Sequence, residues 1–204
     1  MKIVQIVTLA HSGPFVESET WQKIQGDLLV GIRAVVWPKG SKKFTVHPQS
    51  GKKRGEGNGV TPIKEGFIKR LTRKGWDKEV AVDLGVVPNP GKFDAVLKSA
   101  DHKPIVFEWE TGNISSSHRA LNKMALGLHK GKLAAGVLVV PSRKFCVYLT
   151  DRIGNFEELT PYLSLWRSVP YPEGAGLEIV VIEHDAESLK VPRIPKGTDG
   201  RSAL

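Results

Sequence analysis

The sequence predicts an α/β protein built on a mixed sheet. Segments with apolar residues at every second position alternate along the chain with segments whose apolar residues recur every three or four. Two strand-like segments, 93–97 and 104–110, are separated by a short polar turn, which predicts a hairpin. Residues 133–141 are almost wholly apolar, the pattern of a strand buried on both faces.

Residues 1–10 alternate, with Ile3, Gln5, Val7 and Leu9 on one side, and predict the first strand. Over 19–36, Trp21, Ile24, Leu28, Ile32 and Val35 share a helical face, Ser18 is the expected cap, and Trp37-Pro38 ends the helix. A short strand is expected around 44–47, followed by a mobile basic loop at about 48–60. Thr61-Pro62 starts a helix carrying Ile63, Phe67, Ile68 and Leu71, and Gly75 stops it. After the hairpin, Thr111-Gly112-Asn113 breaks the strand, and the run Ser115-Ser116-Ser117 is expected to cap a helix with Leu121, Met124, Ala125 and Leu128 inward. Helices are expected within 142–150 and over 155–166, a last strand at 177–182, and an irregular arm at about 191–204. The whole, 1–204, is read as one domain.

Thirty Lys and Arg against 21 Asp and Glu give a formal net charge of +9. Residues 39–78 hold 12 of the basic and 3 of the acidic residues, which accounts for the entire excess. A basic block on a neutral body fits a polyanion partner, because each neutralised phosphate releases a counterion. The apolar runs are too short to cross a bilayer, so no membrane role is expected. The start, MKIVQIVTLAHSG, reads as structure and not as a secretion signal. The single cysteine, Cys146, excludes an intrachain disulfide and a zinc ribbon and points to a reducing cytoplasm. It is read as a small buried hydrophobe, and Trp21, Trp37, Trp76 and Trp166 as core or interface. Ser115, His118 and Asp151 lack the setting of a nucleophile elbow.

Glu108 and Glu110 are two apart on a predicted strand, so they share a face at a spacing of about 6 to 7 Å. Asp94 lies on the strand expected to pair with it. Three crowded carboxylates are costly unless a cation lies between them, and hard oxygen donors suit Mg²⁺. Carboxylates with metal on a DNA-binding body fit phosphodiester hydrolysis. The competing reading is an edge strand whose outward acids pair with lysines.

The run Glu108-Trp109-Glu110-Thr111-Gly112-Asn113-Ile114-Ser115-Ser116-Ser117-His118-Arg119, then Asn122-Lys123, closely resembles the BamHI family of type II restriction endonucleases. So do Trp37-Pro38, Ser41-Lys42-Lys43-Phe44-Thr45-Val46, Asn58-Gly59-Val60-Thr61-Pro62-Ile63-Lys64-Glu65, Tyr148-Leu149-Thr150-Asp151-Arg152, Asn155-Phe156-Glu157-Glu158-Leu159, Pro161-Tyr162 and Ile194-Pro195-Lys196-Gly197-Thr198-Asp199-Gly200. The matches keep one order from about residue 35 onward. The resemblance implies a homodimeric PD-(D/E)XK nuclease: a central mixed sheet with helices on both faces, restriction-endonuclease-like. It implies Mg²⁺-dependent cutting of double-stranded DNA at GGATCC, between the two guanines, leaving four-base 5′ overhangs with 5′-phosphates. It also implies a bacterial host with a protecting methyltransferase.

Carried onto this sequence, the resemblance makes Asp94, Glu108, Glu110 and Glu79 the catalytic set. Asp94, Glu108, Glu79 and the Trp109 carbonyl would hold two metal ions, with Glu110 in the place of the general base. Glu79 follows Trp76 by three, as the family pattern requires. Asp151-Arg152 offers an acceptor for cytosine and a bidentate donor for guanine, and the resemblance assigns it to the outer G·C pair. Asn113, Ser115 and Arg119 stand near a helix start and match positions facing the inner base pairs. Lys64 and the loop residues Lys52, Lys53 and Arg54 are expected on the DNA backbone.

The sequence departs from the family at the expected dimer bundle, where His129-Lys130 is reversed and Ser164 and Arg167 replace acidic groups. Leu163 and Trp166 are the apolar residues expected there instead. The family's C-terminal segment reaches the minor groove in one subunit; the arm here is shorter. Two other readings compete: a repair nuclease without base specificity, which the base-reading matches argue against, and a non-catalytic DNA-binding protein, which four phosphate-repelling carboxylates argue against.

Overall fold

The computed structural model describes residues 1–53, 55–150 and 153–196. A six-stranded sheet has the spatial order β1 (Lys2–His11), β7 (Gly176–Glu183), β6 (Ala135–Pro141), β5 (Ile105–Trp109), β4 (Lys92–Leu97) and β3 (Asp77–Ala81). β5, β6 and β7 run parallel; β1 joins one side antiparallel, and the β5–β4–β3 meander forms the other. The predicted hairpin is β4–β5. All seven residues of β6 are buried, as its apolar run requires.

The helices cover both faces. α2 (Glu19–Arg33) and α3 (Thr61–Arg73) put Trp21, Leu28, Ile32, Phe67 and Leu71 against Phe107, Trp109, Val137, Val139 and Val180. α4 (Ile114–His129), with α6 (Phe156–Leu159) and α7 (Leu163–Arg167), puts Leu121, Met124, Leu159 and Trp166 against Val106, Leu138, Val140 and Ile179. Alternation along β5 therefore sends Phe107 and Trp109 to one face and Glu108 to the other, toward α4. Short α1 (Pro14–Glu17) and α5 (Arg143–Cys146) connect these elements.

Local chemistry sets the ends. The Ser18 hydroxyl accepts the Trp21 N–H at 3.2 Å, as expected of a cap. Gly75, at φ 88°, takes the left-handed turn after α3. The expected serine cap of α4 is corrected: Asn113 is the cap, and its Oδ1 accepts the Ser116 N–H at 3.1 Å. The helix expected over 155–166 is interrupted by a 3-10 turn, Thr160–Tyr162, because Pro161 has no N–H to give. Two strands carry no periodic signal. β3 is short and charged, as suits an edge, and β8 (Ala186–Glu187) forms a two-residue parallel pairing with β2 (Thr45–Val46).

The basic loop is pinned, not free as its glycines and lysines suggest. The Gly51 N–H donates to Val147 at 3.0 Å, and a Cβ on Gly51 would stand 1.5 Å from the Leu149 carbonyl oxygen. Residues 191–196 have no regular structure, yet Ile194 is buried. Trp21, Trp76 and Trp166 are core residues, and half-buried Trp37 donates to the Pro192 carbonyl at 2.8 Å. Cys146 is half-buried, with its thiol against the Ile153 carbonyl at 3.0 Å. Among the described residues, no helix is long and apolar enough to cross a membrane.

Candidate active site

Asp94 and Glu108 meet where the β4–β5 ladder runs out. The backbone pairing extends to Ala95 and Phe107. Beyond it, the carboxylates take over: the Trp109 N–H donates to Asp94 Oδ2 at 2.9 Å, and the Asp94 N–H donates to Glu108 Oε2 at 3.2 Å. Glu110 lies one residue past β5, and its N–H extends the β5–β6 ladder by donating to the Val139 carbonyl at 2.9 Å. Among the described residues no three acidic, His or Cys side chains are drawn into a ready-made metal cluster.

Two lysines face the acids. Lys64 of α3 spans the Asp94 carboxylate at 2.9 and 3.2 Å. Lys123 of α4 pairs with Glu108 Oε1 at 2.5 Å, with side-chain exposures of only 5% and 8%. Burial pushes the Glu108 carboxyl up, and Lys123 opposes that rise. Glu110 is pushed up to about 7, first by burial and then by the charges of Glu108 and Asp94.

Two clefts open on this group. One is lined by Lys64, Glu79, Asp94, Trp109 and Glu110. The other, on the α4 side, is lined by Asp94, Glu108, Glu110, Arg119 and Lys123. Glu79 falls between the pairs Lys78–Ala95 and Val80–Phe93, which gives it the register position opposite Asp94. Its φ of 54° is the one left-handed non-glycine conformation among the described residues. Such strain costs on the order of 1 to 3 kcal/mol and concentrates at functional sites.

A fold with this site has relatives. The family described as Restriction endonuclease BamHI matches residues 1–201. The type II restriction enzyme OkrAI of Oceanobacter kriegii is 44% identical over 202 residues, 99% of each chain. The type II restriction enzyme BamHI of Bacillus amyloliquefaciens is 34% identical over 187 residues, 89% of this chain and 83% of that one. The chain belongs to the BamHI restriction endonuclease family. A solved structure of the BglII restriction endonuclease with a DNA 16-mer shares the fold, with a TM-score of 0.58, 14% identity, and coverage of 95% of this chain and 88% of that one.

As a BamHI-family protein it is a type II restriction enzyme, a site-specific deoxyribonuclease that binds double-stranded DNA. Its residues matched to base reading divide. Asn113, Ser115 and Arg119 are exposed at and after the start of α4, and Arg119 reaches the cleft of the three acids. Asp151 and Arg152 lie outside the described residues, as do Arg54 and the arm from Gly197 onward. Lys52 and Lys53 are exposed on the pinned loop.

Two further residues escape sequence reasoning. Lys123 lies on a helix where a lysine ordinarily reads as solvated. Asn58 is fully buried and joins three distant segments: its amide donates to His47 and Tyr148 carbonyls at 2.9 and 2.8 Å, and its Oδ1 accepts the Ile194 N–H at 3.0 Å. The Thr150 N–H donates to the Asn58 carbonyl at 2.9 Å, so the basic loop lies directly beside the chain leading to Asp151-Arg152. Asn58 stands within a matched motif, which was its only signal.

The apolar residues expected at a dimer bundle are corrected. Trp166 is buried within its own chain and donates to Asn122 Oδ1 at 2.9 Å. Leu163 is partly buried in the same core. The exposed apolar residue of α7 is Leu165, 61% exposed, and Arg167, itself exposed, donates to the Thr8 carbonyl at 3.4 Å.

Proposed function

We propose that this enzyme cuts double-stranded DNA at GGATCC, between the two guanines, leaving four-base 5′ overhangs with 5′-phosphates, as a homodimer using Mg²⁺, two ions per active site. The observation that carries the reading is the junction of Asp94, Glu108 and Glu110 at the end of β5, immediately before the helix that presents Asn113, Ser115 and Arg119. Cleavage chemistry and base reading thus share one short stretch of chain, so a scissile phosphate and the bases beside it are reached together.

The residues suit the metal. Asp94, Glu108, Glu79 and the Trp109 carbonyl are hard oxygen donors, and a cation already spans Asp94 in the form of the Lys64 ammonium. Bound Mg²⁺ would supply Lewis-acid polarisation of the phosphate and a more acidic water. Glu110, whose proton affinity is raised by burial and by the charges of Glu108 and Asp94, accepts the proton of the attacking water. Glu79, opposite Asp94 in the strand register, completes the donor set from the β3 side.

Arg119, Asn113 and Ser115 read the inner base pairs, and Asp151 with Arg152 the outer G·C pair. Lys52, Lys53 and Arg54 track the backbone, and Lys64 joins them once Asp94 has another cation partner. A palindromic site calls for two-fold symmetry, hence the homodimer. The host would carry a methyltransferase protecting the same sequence, and the free thiol of Cys146 suits a bacterial cytoplasm.

The test is a digest of two plasmids, one carrying a single GGATCC and the other that site altered at one base pair, with and without Mg²⁺. Linear product from the first alone, only with metal, and ends sequenced to the stated cut, is the expected result. Cutting of both plasmids defeats the assigned sequence, and cutting without metal defeats the cofactor.

A further inference from the structure

We propose that Lys123 is a positioning residue that presents Glu108 to the metal shared with Asp94. The inference rests on the reading of Glu108 as a metal ligand. It starts from the way the lysine is used up. An ammonium has three protons to place. Those of Lys123 meet Glu108 Oε1, the Lys92 carbonyl at 2.5 Å, and the face of the Phe93 ring, whose centroid is 4.1 Å away. Nothing is left over for substrate, so Lys123 acts through its neighbours.

Those neighbours are informative. Lys92 and Phe93 lie directly before Asp94 on β4, and Glu108 lies on β5. One ammonium from α4 therefore ties together the two strands that carry the metal-binding acids. It also decides which oxygen of Glu108 is left. Oε1 faces Lys123, while Oε2 accepts the Asp94 N–H at 3.2 Å and so faces Asp94. Oε2 is therefore the Glu108 oxygen that would be available to a cation held by both acids. A buried ion pair adds little net stability over an apolar pair of the same shape, so what this pair contributes is geometry.

Calcium titration by calorimetry, without DNA, separates the possibilities. Lys123→Met keeps the stem against Phe93 and removes the charge. We expect its Ca²⁺ dissociation constant to rise at least tenfold, while a gel shift without metal still shows binding to a GGATCC duplex. A Lys123→Met protein of lowered melting temperature but parental Ca²⁺ affinity overturns the positioning role. If Lys123→Met does not fold, Lys123→Arg keeps the charge and displaces the carboxylate with its wider fork; weakened Ca²⁺ binding supports the inference and parental binding overturns it. Glu108→Gln is the control for the underlying reading. Parental Ca²⁺ affinity in Glu108→Gln removes Glu108 as a ligand and the inference with it, whereas loss in Glu108→Gln beside no change in Lys123→Met defeats the inference alone.

Discussion

The Trp109 N–H donates to the Asp94 carboxylate at 2.9 Å, at the point where β4 and β5 stop pairing through their backbones. A side chain has replaced a ladder carbonyl. Asp94 Oδ2 is thereby fixed to the Glu108–Trp109 peptide. The two-stranded frame and the acidic site are one hydrogen-bonded unit, which holds the carboxylates against their mutual repulsion.

Asp94→Asn tests that unit. The amide oxygen can still accept the Trp109 N–H, so the fold is retained. The charge is lost, and cleavage at saturating Mg²⁺ falls by ~10³-fold or more. Metal-free binding to the cognate duplex stays equal or tightens, because one negative charge no longer faces phosphate. Gel shifts and single-turnover cleavage read the two arms, and weakened binding by a folded variant contradicts the assignment.

The proposed role of Glu110 as the base predicts a pH dependence. Its carboxyl is raised to about 7 without metal, and an added cation nearby lowers it. Only the ionised form accepts a proton. Cleavage should therefore rise about tenfold per pH unit at acid pH and level off at or below about 7. A pH profile of the cleavage rate checks this; a Glu110→Gln enzyme that keeps both the parental rate and the acid limb would remove Glu110 as the base.

Glu178 offers a stability test away from the site. It is buried on β7 with Gln25 donating to both its oxygens at 2.6 and 2.8 Å. Burial raises its pKa above the ordinary 4.5. The folded state thus favours the protonated acid, and its penalty grows as pH rises above the unfolded value. Glu178→Gln should raise Tm at pH 8, by about 2 to 4 °C for each kcal/mol recovered, and make no difference near pH 4. Calorimetry at the two pH values decides, and an equal effect at both rules out the titration account.

Leu165 tests the dimer. It is the exposed apolar side chain on α7, and the proposed two-fold pairing needs an apolar surface of this kind. If the proposed homodimer pairs through this face, Leu165→Asp should leave a monomer in sedimentation at micromolar concentration, with the monomer's Tm unchanged within about 2 °C. A dimer that persists unaltered places the two-fold interface elsewhere.

Much of the frame was legible. Ser18, Thr61 and Gly75 mark helix ends by local chemistry, and the apolar run of β6 announces a buried strand. The acids of the β4–β5 hairpin were legible too, because strand alternation and a hairpin bring Asp94 near Glu108. β3 was not, since Asp77–Ala81 has no apolar period and is a strand only by pairing with β4. Asn113 was missed as the α4 cap because the serine run offered equally good capping chemistry. The pinned loop was missed because lysines and glycines look the same in a free loop and in one packed against Val147 and Leu149.

The class of fold, the excess of positive charge, the acidic triplet and the family could all be read from residue type and near spacing. Tertiary structure alone decided which cations hold the acids and which segments stand together. Lys64 and Lys123 reach Asp94 and Glu108 from opposite faces of the sheet, and Asn58 joins residues more than a hundred positions apart. Such partnerships depend on how helices pack across strands, where a side chain's neighbours are set by distance in space and not along the chain.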